Sequence, residues 1–206
     1  MAPKDENELQ HMLYTAVHHD GPASLRYPRG KAQGVPLDEQ PRALPIGRGE
    51  VLQEGDDVVL IGLGTMAPVC LEAARLLAQK SISAMVINPR FVKPLDAELL
   101  IRAGRKVGAV VTVEEGCLAG GFGSAVLELY ADHHVDARVV RMGIPDVFVD
   151  HGSPSRFQEL YGLTPGGIAQ RAEELVLQLS SDLAAHPARR HAGRKPGARA
   201  AGLGQS

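Results

Sequence analysis

Val58-Val59-Leu60-Ile61-Gly62-Leu63-Gly64-Thr65-Met66-Ala67 is the stretch on which the fold turns. Its apolar run shows no alternation, so a strand built from it must be covered on both faces, as in a parallel sheet held between two layers of helices. The glycines end the strand, and the spacing predicts a helix from Ala67 to about Gln79. Working outward, Ile82 to Ile87 reads as the next strand, and Pro94-Leu95-Asp96 opens a helix ending near Gly104. A strand over Val107 to Val113, a helix over Gly120 to His133 and a strand over Ala137 to Met142 follow. Ser153-Pro154 and Thr164-Pro165 each place a cap residue before proline at a first helical position, which predicts helices over Ser153 to Tyr161 and Thr164 to about Leu179. Strands separated by single helices imply right-handed crossovers. The expected fold class is therefore α/β, a three-layer arrangement with a mostly parallel sheet flanked by helices.

Residues 1–45 have a different character. Leu9, Met12, Leu13, Ala16 and Val17 recur at helical spacing over Asp5 to about His18, and Asp5 with Glu8 resembles a capping box. Asp20-Gly21-Pro22 turns the chain, Ala23 to Tyr27 reads as a strand, and Pro36, Pro41 and Pro45 mark a linker. One helix and one strand cannot close a core, so this region is expected to be the end of another domain. Residues 46–179 form the α/β domain. Residues 180–206 carry five basic side chains (Arg189, Arg190, Arg194, Lys195, Arg199) against Asp182 and few large apolar residues, the composition of a disordered tail.

The 206 residues are 44% hydrophobic and 22% charged, with a formal charge of -2, which suits a globular chain with no electrostatic hold on nucleic acid or an anionic membrane. Cys70 and Cys117 lie in apolar segments without metal or C-x-x-C spacing and read as buried thiols of a reducing compartment. No apolar run reaches the ~18 residues needed to span a bilayer, and the first residues are acidic where a signal peptide is basic and then apolar. A cytoplasmic location is expected.

Four stretches invite a chemical reading. Gly62-Leu63-Gly64-Thr65-Met66-Ala67 matches a dinucleotide fingerprint, but the end of the next strand supplies Asn88-Pro89-Arg90 where an acidic ribose ligand is required, so a packed strand-to-helix turn is the better reading. Gly120-Gly121-Phe122-Gly123-Ser124 follows Glu114-Glu115 and lacks the lysine of a phosphate loop, and its glycines are explained by close helix–sheet packing. The eight histidines include the adjacent pairs His18-His19 and His133-His134 at helix ends, without ligand spacing. Arg26-Tyr27-Pro28-Arg29-Gly30 puts two guanidiniums after an extended run. The pattern alone admits both a phosphate site and a surface ion pair.

Lys4-Asp5-Glu6-Asn7-Glu8-Leu9 with Met12-Leu13-Tyr14-Thr15, then Asp20-Gly21-Pro22 and Arg26-Tyr27-Pro28-Arg29-Gly30, resemble the end of the pyrimidine-binding domain in the 1-deoxy-D-xylulose-5-phosphate synthase family. Leu44-Pro45-Ile46-Gly47, Asn88 to Asp96, Val113-Glu114-Glu115, Gly120 to Ser124 and Gly143-Ile144-Pro145-Asp146 resemble that family's transketolase-type C-terminal domain. The likeness runs from about residue 3 to 178.

The resemblance implies a transferase that condenses pyruvate with glyceraldehyde 3-phosphate, releasing carbon dioxide and giving 1-deoxy-D-xylulose 5-phosphate for isoprenoid and thiamine biosynthesis. It implies thiamine diphosphate and Mg2+ as cofactors of the full-length enzyme, held by a G-D-G motif and activated by a glutamate that both lie upstream of the part of the sequence seen here. None is expected on this chain alone, which would be inactive by itself and would need the upstream domains, in the same or a separate chain, within a homodimer. Of the site residues only Arg29 carries over, as the contact to the phosphate of the aldehyde, with Arg26 and Tyr27 structural; no catalytic, cofactor-binding or metal-binding residue is expected. Two other readings are a non-catalytic association module of a split or truncated enzyme and a nucleotide-binding domain using Gly62 and Gly64.

Overall fold

The computed structural model of the chain describes residues 1–30 and 32–185. After helix α1 (Glu6–His18) and a long extended segment come β1 (Glu50–Gln53), β2 (Val58–Gly62), α2 (Met66–Ala78), β3 (Ala84–Asn88), α3 (Ala97–Val107), β4 (Ala109–Cys117), α4 (Phe122–Asp132), β5 (Arg138–Ile144), α5 (Pro154–Leu160) and α6 (Pro165–Ala185). The five strands form one sheet in the order β1-β3-β2-β4-β5. β3, β2, β4 and β5 run parallel, and β1 pairs antiparallel to β3 at the edge.

The apolar run of β2 explains the layering. Val58 and Leu60 point to one face, where Met66, Cys70, Ala73, Ala74 and Leu77 of α2 meet Ile168, Ala172 and Leu175 of α6. Val59 and Ile61 point to the other, against Leu99, Leu100 and Ala103 of α3 and Phe122, Val126 and Tyr130 of α4. A period-2 side-chain alternation with both phases apolar produces a sheet covered on both sides. Helix ends follow local chemistry. The Asp96 carboxylate accepts from Leu99 N at 3.1 Å to start α3, and Gly108 ends it with φ 76°.

The structure corrects several expectations. Ala23 to Tyr27 is not a strand: among the described residues its backbone is tied to Met1, through Met1 N to Ser24 O (2.8 Å) and Arg26 N to Met1 O (2.9 Å). Pro22 and Pro28 flank it, and among the described residues it joins no sheet. Strand β1 was not legible, being four residues long and half-buried. Helix α6 continues through Ala185, beyond the expected end near Leu179, so the first residues of the expected tail are helical. The remainder of that tail, residues 186–206, lies outside the described residues. Cys70 is buried as expected and burial pushes its thiol well above the ordinary range, whereas Cys117 is exposed where β4 runs out of the core. No helix among the described residues is long and apolar enough to cross a membrane.

Helix α1 departs furthest from its pattern. The face it buries carries Glu8, His11, Met12 and Thr15, while Leu13 is 48% and Val17 80% exposed. The extended segment after it accounts for the inversion, because its amides have no sheet or helix partners and α1 supplies acceptors for them. Asn7 Oδ1 accepts from Asp38 N (2.8 Å), His11 Nδ1 from Arg42 N (3.1 Å) and Thr15 Oγ1 from Leu44 N (2.8 Å). Residues 7, 11 and 15 form one i, i+4, i+8 stripe. With Nδ1 accepting, the His11 ring carries its proton on Nε2 and donates it to Asp38 Oδ2 at 2.8 Å.

Candidate functional site

Strand β2 leads through α2 to β3 on one side, and β3 leads through α3 back across to β4 on the other, so the chain direction diverges between β2 and β4. In open parallel sheets the crevice beyond the C-terminal strand ends at such a point is where ligands bind. A cleft of about 450 Å³ opens there, lined by Gly64 and Thr65 after β2, Glu115 of β4, Ile144 of β5 and Phe157 and Gln158 of α5. Its remaining wall is the N-terminal segment, Ala2 and Pro3 with Arg26, Tyr27, Pro28 and Arg29.

The sequence-predicted Arg29 therefore lies at the lip of this cleft, beside Arg26 and Tyr27. All three are exposed. Among the described residues neither guanidinium makes an ion pair with a carboxylate. The surface-ion-pair reading of this motif thus loses its partner, and two forked cations are left facing a crevice, a geometry suited to an anion with several oxygens. The floor is rigid. Glu115 Oε2 accepts from Thr65 Oγ1 (2.5 Å) and Oε1 from Gln158 Nε2 (2.9 Å), linking the start of α2, the end of β4 and α5.

The two glycine-rich turns are packed, not open. A side chain at Gly62 would meet Met66 O and Ala67 at 2.6–2.7 Å, and beside Gly64 (φ 60°) lie Ala2 and Pro3, so the N-terminal segment covers the place a pyrophosphate would need. The turn before α4 holds an anion already. Glu114, 3% exposed, accepts from Phe122 N (2.9 Å) and Gly123 N (2.8 Å), its carboxylate serving as the anion that a helix N-terminus attracts.

Sequence reasoning missed a second charged group. The buried Glu8 carboxylate accepts from Lys4 N (2.8 Å), Asn88 Nδ2 (2.9 and 3.0 Å) and Arg90 Nε (2.7 Å), and Arg90 also reaches Glu50 at 2.8 Å. Burial pushes the Glu8 carboxyl up, but the Lys4 amide and ammonium with Arg90 and Asn88 outweigh it and hold the group below the usual glutamate range. Arg90 takes a left-handed conformation (φ 59°), with its amide on Asn88 Oδ1 and its carbonyl accepting from Ala2 N. The Asn88-Pro89-Arg90 turn, read in the sequence as a missing ribose ligand, is the socket for α1. The histidine pairs stay apart from the cleft. Among the described residues no three His, Cys, Asp or Glu side chains lie close enough together to hold a metal ion.

Comparison with known proteins agrees with this architecture. Residues 47–168 match the family described as "Transketolase, C-terminal domain". The chain belongs to that family. It is 78% identical over 208 residues to the 1-deoxy-D-xylulose-5-phosphate synthase of Symbiobacterium thermophilum, covering 100% of this chain and 32% of the relative. It is 56% identical over 177 residues to 1-deoxy-D-xylulose-5-phosphate synthase 1 of Geobacter sulfurreducens, covering 85% and 28%. The chain thus spans about a third of the length of the curated relatives it matches and corresponds to their C-terminal part. Among solved structures, one described as "Split gene transketolase, inactive beta4 tetramer" superposes with a TM-score of 0.73 at 35% identity, covering 85% of this chain and 56% of that one. A Pichia stipitis transketolase shares the fold at a TM-score of 0.57 and 17% identity, covering 87% and 25%.

Proposed function

We propose that the chain acts as the C-terminal part of a thiamine-diphosphate-dependent 1-deoxy-D-xylulose-5-phosphate synthase. In this reading residues 46–179 support subunit association and the active-site domains, and Arg29 binds the phosphate of glyceraldehyde 3-phosphate. Thiamine diphosphate and Mg2+, held by the upstream portion, supply the decarboxylation of pyruvate and the carbon–carbon bond formation. The observation that carries the reading is the Arg29 guanidinium, without a carboxylate partner among the described residues, at the lip of the switch-point cleft. The likeness to synthases across the whole chain supports the choice of reaction, and the inactive state in which the similar split-gene transketolase tetramer is described supports the view that such a portion is inactive by itself.

The test is kinetic and uses the assembled enzyme, the chain joined to or mixed with its upstream portion. Replacing Arg29 with alanine is expected to raise KM for glyceraldehyde 3-phosphate by roughly a hundredfold while leaving KM for pyruvate near its original value, the loss of a charge-assisted contact to one substrate only. An equal effect on both substrates would remove the phosphate role.

Association is favoured by a separate observation. Leu13 and Val17 of α1, and Val147 and Phe148 in the loop after β5, are large apolar side chains left in solvent. Such surface suits contact with the upstream domains and with a second subunit of a homodimer.

A further inference from the structure

Glu6 reaches from the first turn of α1 into the loop that follows Arg29. Its Oε1 accepts from Gly34 N (2.5 Å) and Val35 N (2.8 Å), and its Oε2 from Gln33 N (3.2 Å). The side-chain amide of Gln33 donates to Lys4 O at 3.1 Å. Three successive amides around one carboxylate make a concave anion cradle, opened here by the positive φ of Gly34 (84°). On the other side of Arg29, the backbone of Met1 holds Ser24 and Arg26. The segment from 24 to 35 has no regular secondary structure among its described residues, and both of its ends are tied to residues 1–6. Residues 1–8 are themselves fixed to the sheet through Ala2 N to Arg90 O and the Glu8 cluster.

We propose that Glu6 is a positioning residue for Arg29: by gripping amides 33 to 35 it fixes the loop so that the guanidinium stays over the cleft for a phosphorylated substrate. This inference rests on the reading of Arg29 given above. An arginine on a long loop is useful for phosphate recognition only if its backbone is ordered before the ligand arrives, because ordering it on binding subtracts from affinity. Apart from its own amide, the Glu6 carboxylate has only these loop amides as hydrogen-bond partners among the described residues. Its own amide first, and then those of Gly34, Val35 and Gln33, hold its carboxyl below the usual glutamate range against an opposing effect of burial. The carboxylate is the form the cradle selects.

The experiment compares Glu6→Ala, Glu6→Gln, Arg29→Ala and the Glu6→Ala/Arg29→Ala double variant in the assembled enzyme, with hydrogen exchange at amides 33 to 35 read alongside. Glu6→Ala is expected to raise KM for glyceraldehyde 3-phosphate about tenfold, to leave kcat and KM for pyruvate within about twofold, and to release the protection of Gly34 and Val35. Glu6→Gln retains one acceptor oxygen, so its increase should be smaller. The double variant should be no worse than Arg29→Ala alone, since a residue that acts only through Arg29 has nothing left to position. Additive losses, equal increases for both substrates, or released protection with unchanged KM would each overturn the proposal. If Arg29→Ala raises KM for the aldehyde and Glu6→Ala does not, the positioning role falls alone. If Arg29→Ala itself leaves that KM unchanged, the phosphate reading falls first and takes the positioning role with it.

Discussion

Glu114 shows how far one side chain can be misread from its neighbours. In the sequence it stands with Glu115 before a glycine-rich turn, and two adjacent carboxylates suggest only repulsion of an anion. In the fold the residues part company: Glu114 turns under the start of α4 and Glu115 turns into the cleft. Strand alternation makes this legible in principle, since successive side chains leave opposite faces of a strand, but which face meets the helix terminus is a tertiary fact. The glycines belong to the same arrangement. A side chain at Gly121 would collide with the Cys117 carbonyl and with Glu114 itself. Gly121→Ala is expected to destabilise the fold by roughly 1–3 kcal/mol through overpacking, measured by denaturant unfolding. Glu114→Gln should cost a similar ~1–3 kcal/mol, because its amide group presents a donor to one of two buried donors. Arg29, by contrast, owes its legibility to a motif whose residues are exposed and so are not disguised by packing.

At the scale of elements, the periodicity of Leu9, Met12, Leu13, Ala16 and Val17 correctly marks α1 as a helix and fails to say which side it buries. Apolar spacing reports a stripe; the partner decides its fate. Here the partner is an extended segment whose amides need acceptors, so Asn7, His11 and Thr15 are drawn inward and Val17 is left out. Thr15→Val is expected to cost about 1–3 kcal/mol by stranding Leu44 N, readable as lost exchange protection of that amide. Removing Glu8 should cost more. Glu8→Ala leaves Arg90 without its buried partner, and breaking such a pair costs ~3–5 kcal/mol. The sign of the acid response follows from the depressed Glu8 carboxyl. Because its folded value lies below the ordinary 4.5, its contribution is full above about that pH and is lost as pH falls through the lower folded value. Protection of the α1 amides should therefore hold steady between pH 7 and pH 5 and decline only in stronger acid. A decline that begins near neutrality would assign the docking to another group.

For the whole molecule, the α/β layering followed from one strand and its spacing to the next, because a run buried on both faces admits few architectures. Strand β1 escaped because four half-buried residues carry no period. The cleft escaped because its walls come from residues 2–29 and 63–163, joined only by the fold. The surface left apolar on α1 fits a portion of a larger assembly, as does the length of the relatives. Replacing Leu13 and Val17 with aspartate is expected to leave the unfolding of this chain nearly unchanged while weakening its association with the upstream portion, checked by sedimentation of the mixture. The central claim is a division of labour between the two portions. It is tested most directly by measuring carbon dioxide release from pyruvate, with glyceraldehyde 3-phosphate, thiamine diphosphate and Mg2+ present, for this chain alone and for the chain combined with its upstream portion. No release from the first and sustained release from the second is the predicted result; turnover by the chain alone would contradict the account.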